Sequence, residues 1–283
     1  MFTRKKSLML FLLPGLLGLL LFYLVPFLGG IYFSMTDGSI ANRFVWFENY
    51  QRVWSNPVFL LGLRNSLELS LICAPLIFVF SFVLSVVLRT LKERSLGFRN
   101  LLLMPYLVPS SALLIIWLLL FDFGSPINRL MELMGLQRVL WLESEAMRVP
   151  VVLLYIWKNV GFSVVIFSAA LNAVPDELYE FARLEGAGPI RQATKITLPL
   201  IMPTAFLVFV LAWVNAFKIF KEVYFIGGAY PRDSVYTLQH YMNNLFAKLD
   251  YQLVTTAAYS FAVIVFVLFG LLYMGKAVRG HDR

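Results

Sequence analysis

Leu69-Ser70-Leu71-Ile72-Cys73-Ala74-Pro75-Leu76-Ile77-Phe78-Val79-Phe80-Ser81-Phe82-Val83-Leu84-Ser85-Val86-Val87-Leu88 is a run of 20 residues without one charged side chain, closed by Arg89. A helix rises 1.5 Å per residue, so about 20 apolar residues cross the ~30 Å hydrocarbon core of a bilayer. Working outward from this run, the pattern recurs. Residues 7–35, 101–121, 198–217 and 253–275 are also free of charge, and 150–173 holds a single charged residue, Lys158. With their flanks, these runs predict six membrane helices at about 7–35, 65–88, 100–121, 149–173, 198–222 and 253–276. The fold class that follows is an all-α membrane protein, read as one domain over residues 1–283.

Composition agrees with that class. Of 283 residues, 60% are hydrophobic and 14% charged, against roughly 45–50% and about 25% in soluble domains. The mean hydropathy is +0.76. No core of a water-soluble domain hides that much apolar surface, so lipid is the solvent for much of the chain. The net charge of +8 and pI near 9.6 would suit nucleic acid or a membrane. The apolar excess selects the membrane and excludes a nucleic-acid partner. Cys73 is the only cysteine, which excludes an intrachain disulfide and a cysteine metal cluster. Arg4-Lys5-Lys6 precede the first run in the manner of a signal peptide. That run is longer than the ~7–15 residues of a signal h-region and no small-residue cleavage site closes it, so it reads as a retained helix.

Charge outside the spans sets an expected orientation. With the N-terminus in the cytoplasm, 13 basic residues fall in short inner segments and 8 in longer outer loops. The excess of Lys and Arg in cytoplasmic segments puts both termini inside. Pro14, Pro26, Pro75, Pro105, Pro109, Pro199 and Pro203 interrupt the spans. Each removes an amide donor, giving either irregular packing or bends that line a path. There is no sign of the inverted repeat common in secondary transporters.

The last inner segment, 174–197, breaks the basic pattern. It begins Val174-Pro175-Asp176-Glu177-Leu178-Tyr179-Glu180-Phe181-Ala182-Arg183-Leu184-Glu185-Gly186-Ala187-Gly188-Pro189. Pro175 and the two acids behind it suit a helix start, and Gly186 and Gly188-Pro189 suit its end. The spacing predicts a helix of about ten residues with Leu178, Phe181 and Ala182 on one face. A helix lying on lipid should be rich in Lys and Arg on its polar face. This one carries Asp176, Glu177, Glu180 and Glu185 against Arg183 alone, which fits docking on another protein.

These residues resemble a known family. Glu180-Phe181-Ala182, Leu184-Glu185-Gly186-Ala187, Ile196-Thr197-Leu198-Pro199 and Pro203 look like the EAA loop of bacterial binding-protein-dependent ABC importer permeases. Phe181 stands for the family's second alanine, Glu185 for its aspartate and Ala193 for a usual phenylalanine. Phe11-Leu12-Leu13-Pro14, Glu48-Asn49-Tyr50, Met104-Pro105-Tyr106-Leu107-Val108-Pro109, Ile156-Trp157-Lys158-Asn159-Val160-Gly161-Phe162 and Gly227-Gly228 are similar to elements of the carbohydrate-uptake branch, in the same order.

The resemblance implies a type I ABC importer permease fold in a bacterial inner membrane. The last five helices would form its core, and the first would wrap a second homologous permease, usually a different chain in sugar importers. It also implies a cytoplasmic ATPase dimer, an extracellular solute-binding protein and a sugar substrate. The loop helix would then be a coupling helix. Leu178, Phe181 and Ala182 would be buried anchors in the ATPase, Glu180 and Glu185 would pair with its basic groups, and Gly186 and Ala187 would make the exit. The chain has no Gly-x-x-x-x-Gly-Lys-Ser/Thr loop, so it is read as a transport subunit without cofactor, with ATP and Mg held by the ATPase.

A translocation path should show ionisable groups at membrane depth, where they are costly. Lys158 lies in the fourth span, and Lys218, Lys221 and Glu222 lie at the end of the fifth. The bland alternatives are a snorkelling Lys158 and a plain i,i+4 pair between Lys218 and Glu222. Sugars need aromatic faces beside hydrogen-bonding groups, which nominates Tyr106, Trp117, Trp157, Asn159, Trp213, Asn215 and Tyr224. Glycerol-phosphate compounds are the alternative substrates, favoured by Lys158 and Lys218. A self-contained channel or secondary transporter fits the hydropathy but leaves the acidic loop helix unexplained. An intramembrane enzyme or metal site is not supported: His240 and His281 are the only histidines, and no His-Glu-x-x-His or Gly-x-Ser-x-Gly occurs.

Overall fold

The computed structural model describes residues 2–39, 41–91 and 95–281. Within them the chain forms helices and one isolated bridge, between Thr36 and Phe44. In order the helices are α1 Phe2–Leu19, α2 Val25–Ser34, α3 Glu48–Trp54, α4 Pro57–Thr90, α5 Ser95–Leu107, α6 Ser110–Phe121, α7 Pro126–Leu133, α8 Arg148–Asn172, α9 Asp176–Leu184, α10 Pro189–Gln192, α11 Leu198–Leu200, α12 Met202–Ala216, α13 Phe220–Gly227, α14 Leu238–Ala247 and α15 Tyr251–His281. Among the described residues six stretches are long and apolar enough to cross a membrane: Phe11–Ser34, Pro57–Thr90, Ser110–Leu133, Glu145–Asn172, Met202–Gly227 and Tyr251–Gly270.

Local chemistry explains where the helices begin and break. α4 starts at Pro57, upstream of the expected 65. The Asn56 side-chain oxygen accepts the amides of Val58 (2.9 Å) and Phe59 (3.4 Å), and proline fits the first helical position. The expected helix 100–121 is two helices, because Pro109 is extended (φ −53°, ψ 135°) and bars the helical region to Val108. The expected 198–222 is interrupted at Ile201 (φ −96°, ψ 13°) and again at residues 217–219, where α12 and α13 are separated by a turn.

The described chain divides into two compact units, residues 1–60 with 241–283, and residues 61–240. In the first, α2 and α3 pack on α15. Asn49 is buried and donates to the carbonyls of Ser34 (3.0 Å) and Thr36 (2.8 Å), fixing the segment after α2 against α3. Trp54 donates to Ser260 at 3.2 Å, and Tyr259 donates to the Phe27 carbonyl. In the loop beyond, Asp37 accepts the hydroxyl and amide of Ser39 and the amide of Arg43, which lower its pKa below the ordinary value.

In the second unit, α8 packs against α5, α6, α12 and α13. Lipid offers no hydrophobic drive between helices, so close packing and small residues must hold them. Gly161 shows this: a Cβ there would overlap the backbone of Leu102, so α8 and α5 meet at the distance only glycine allows. Ser85 donates to the carbonyls of Ser81 (2.6 Å) and Val164 (3.2 Å), joining α4 to α8. Phe167, Leu171, Val174, Ile201, Ala205 and Val208 form a buried cluster, with Phe78 and Phe82 edge-on to Phe167.

Candidate functional site

Two places in the unit of residues 61–240 gather the chemistry, and the first is the connection between α8 and α12. α8 stops at Asn172, Val174 is buried, and Pro175 is extended (φ −57°, ψ 137°) at the start of α9. Asp176 and Glu177 occupy the first turn and Arg183 the last, so the charges complement the helix dipole at both ends. The helix ends in a Schellman motif. Gly186 takes φ +77°, its amide donates to the Arg183 carbonyl at 3.0 Å, and the Ala187 amide donates to Ala182 at 2.8 Å.

The nine residues of α9 present two faces. Ala182 is buried (6% exposed), and Tyr179, one turn before it, packs against the cluster around Phe167. Phe181 and Leu184 are 64% and 88% exposed, and Leu178, Glu180, Glu185 and Ile190 are exposed with them. Sequence spacing grouped Ala182 with Leu178 and Phe181. In the folded chain it joins Tyr179 on the inward face, and Leu184 completes the exposed apolar face. After Gly186 the chain turns through α10 and a π-helical turn, Ala193–Thr197. Gln192 donates to the Ala187 carbonyl at 2.6 Å, and the Tyr179 and Thr197 hydroxyls lie 2.9 Å apart. From the end of α4, Arg89 reaches across to donate to the Val174 carbonyl and Asp176, each at 2.7 Å, and lies over the Tyr179 ring. A cavity of about 1210 Å³ opens beside these residues.

The second place lies within the spans. Lys158 on α8 donates to Glu222 on α13 at 3.0 Å and to Ser110 at the start of α6. Their side chains are only 15% (Lys158) and 6% (Glu222) exposed. An unpaired charge at that depth is expensive, so each supplies the other's counter-charge. Lys158 therefore does not snorkel. The i,i+4 pair of Lys218 and Glu222 does not form either, because the turn at 217–219 separates them. Lys218 donates instead to Asn215 at 3.2 Å. Tyr155, one turn before Lys158, is buried, and its hydroxyl has no hydrogen-bond partner among the described residues.

Of the nominated aromatics, Trp117 and Trp157 stack with centroids 5.8 Å apart and planes 13° apart. Trp117 also donates to the Pro150 carbonyl at 2.9 Å. Tyr106 stacks on Phe162 at 5.0 Å, Trp213 is buried and donates to Ser70 at 3.0 Å, and Asn159 donates to its own helix at Tyr155. Tyr224 lies against Phe220 and His240. Three nominated pairs thus meet: Lys158 with Glu222, Trp117 with Trp157, and Asn215 with Lys218. Sequence reasoning missed Ser110, Arg89, Tyr179 and Thr197. The proline bend ahead of Ser110 was the one signal available. The other three sit in ordinary contexts and become connected only on folding.

A family model described as "Binding-protein-dependent transport system inner membrane component" matches residues 77–277. The diacetylchitobiose uptake system permease protein NgcF of Streptomyces coelicolor is 31% identical over 99% of this chain and 84% of its own length. The sulfoquinovosyl glycerol transport system permease protein SmoG of Agrobacterium fabrum is 29% identical over 77% of this chain and 71% of its own. The sn-glycerol-3-phosphate transport system permease protein UgpA of Pectobacterium atrosepticum is 28% identical over 72% and 71%. Among solved structures, a chain of a bacterial ABC transporter involved in the import of the acidic polysaccharide alginate superposes with a TM-score of 0.81 at 21% identity, covering 98% of this chain and 96% of that one.

Proposed function

Since the chain belongs to the family of binding-protein-dependent transport system inner membrane components, we propose that it forms half of the translocation path of an ATP-driven sugar importer in a bacterial cytoplasmic membrane. Both termini face the cytoplasm, a second homologous permease completes the path, and an extracellular solute-binding protein delivers the sugar. The 174–197 loop docks on a cytoplasmic ATPase dimer, which binds ATP and Mg. The observation that carries this reading is the outer face of α9. A short helix, closed at its C-terminal end by the Gly186 turn and held to the chain by Tyr179 and Ala182, exposes Leu178, Phe181 and Leu184 beside Glu180 and Glu185. Apolar anchors rimmed by charge are the usual make-up of a protein interface, with aromatics favoured at its centre.

The named relatives carry sugars and sugar-like or phosphorylated glycerol compounds, so two substrate classes compete. The pairing of Lys158 with Glu222 favours an uncharged sugar, because that cation is already neutralised inside the chain. The test is uptake into proteoliposomes holding the purified complex, with diacetylchitobiose and glycerol 3-phosphate as probes. ATP-dependent, binding-protein-dependent uptake of the sugar is expected. Uptake of glycerol 3-phosphate alone would reverse the substrate class. Transport by the purified chain without ATP or partners would overturn the importer reading.

A further inference from the structure

We propose that Arg89 is the positioning residue that makes α9 and the membrane helix α4 move as one piece. The proposal rests on the reading of α9 as the ATPase-docking element and names the side chain through which its motion enters the membrane. Arg89 stands in the last turn of α4. Its Nη2 donates to the Val174 carbonyl and to Asp176 Oδ1, both at 2.7 Å, and its Cζ lies 4.2 Å from the centroid of the Tyr179 ring. The Tyr179 hydroxyl in turn meets the Thr197 hydroxyl, which also bonds the Gln192 carbonyl at 3.3 Å. One guanidinium therefore touches the α8–α9 junction, the first turn of α9 and, through one ring, the segment that leads into α12.

These contacts are not equal. Asp176 is 81% exposed, and an exposed ion pair is screened and adds little. The Val174 backbone sits beside a buried side chain, and the Tyr179 ring packs on the same cluster, so the carbonyl bond and the stacked ring do most of the holding. The stacked ring needs a flat guanidinium, and the same plane aims Nη2 at the Val174 carbonyl. Lysine offers a point charge that does not stack on the ring in that way.

The test uses the complete importer in proteoliposomes, reading ATP hydrolysis and sugar uptake together. Arg89→Ala is expected to keep ATP hydrolysis within about twofold while uptake per ATP falls at least about fivefold, the low end of a typical coupling between sites. Arg89→Lys should behave like Arg89→Ala. Wild-type uptake per ATP in Arg89→Ala would overturn the proposal. So would a proportional loss of hydrolysis and uptake, the mark of a merely structural role. If Arg89→Ala does not assemble, Arg89→Lys keeps bulk and charge and decides the question alone. Phe181→Asp on the docking face is the control. If it uncouples while Arg89→Ala does not, the role of Arg89 falls and the coupling reading stands. If neither uncouples, the coupling reading falls as well.

Discussion

Gly186 offers the sharpest test of the loop. Its φ of +77° is left-handed, and an added Cβ would meet nothing within 4 Å. Any penalty for a side chain there is therefore backbone strain alone, about 1–2 kcal/mol for an ordinary L-residue and more for a β-branched one. What the strain threatens is the pair of bonds that end α9, from the Gly186 amide to Arg183 and from the Ala187 amide to Ala182. Asparagine tolerates the left-handed region, alanine less, valine least. At about 1.4 kcal/mol per factor of ten, the capped exit should be disfavoured roughly fivefold in Gly186→Ala. In Gly186→Val the factor should be about thirtyfold or more, with Gly186→Asn close to wild type. Two measurements follow this order: uptake per ATP in the reconstituted importer, and hydrogen exchange of the amides at 186 and 187. Wild-type coupling in Gly186→Val would show that the left-handed backbone at 186 carries no penalty, and a Gly186→Asn as damaging as Gly186→Val would show that side-chain volume matters there and backbone conformation does not.

Lys158→Met should lower thermal stability strongly, by about 3–5 kcal/mol for breaking a buried pair, while Lys158→Met with Glu222→Gln should be milder than either single change. Additive losses in detergent melting curves would show that the pair is not coupled. Gly161→Ala forces α8 away from the Leu102 backbone and should cost about 1–3 kcal/mol; unchanged melting and expression would contradict the close approach. Burial holds the His240 imidazole down at about 4, against an ordinary ~6.5. The unfolded chain binds the extra proton between those values, so this contribution to stability is full above about pH 6.5 and is lost as pH falls toward 4. Wild type should thus lose more melting temperature between pH 7 and pH 5 than His240→Gln, and equal losses would remove His240 as the cause.

How far the chain could be read in one dimension differed by level. The six spans, the all-helical class and the short acidic helix after Pro175 were legible because each is a local property. Hydropathy over about 20 residues, a proline–acid start and a glycine stop need no knowledge of neighbours. Helix continuity was less legible. Proline at 109 breaks one expected helix, whereas Pro75 and Pro105 are carried inside α4 and α5. Residue type alone therefore does not tell a carried proline from a breaking one.

Sequence alone determined that this chain is a polytopic membrane helix bundle with one short acidic helix between two of its spans, since composition and charge act residue by residue. Only the tertiary structure decided which polar groups meet. Glu222 was one helical turn from Lys218 on paper, yet the turn at 217–219 shifts the helical phase and Lys158, far off in the chain, takes the carboxylate. Ala182 left the face expected for it with Leu178 and Phe181 because α9 packs inward through Tyr179, and Arg89 found its three partners across a gap of 85 residues and more. Such pairings depend on helix phase and approach distance, which are set by packing between segments remote in sequence.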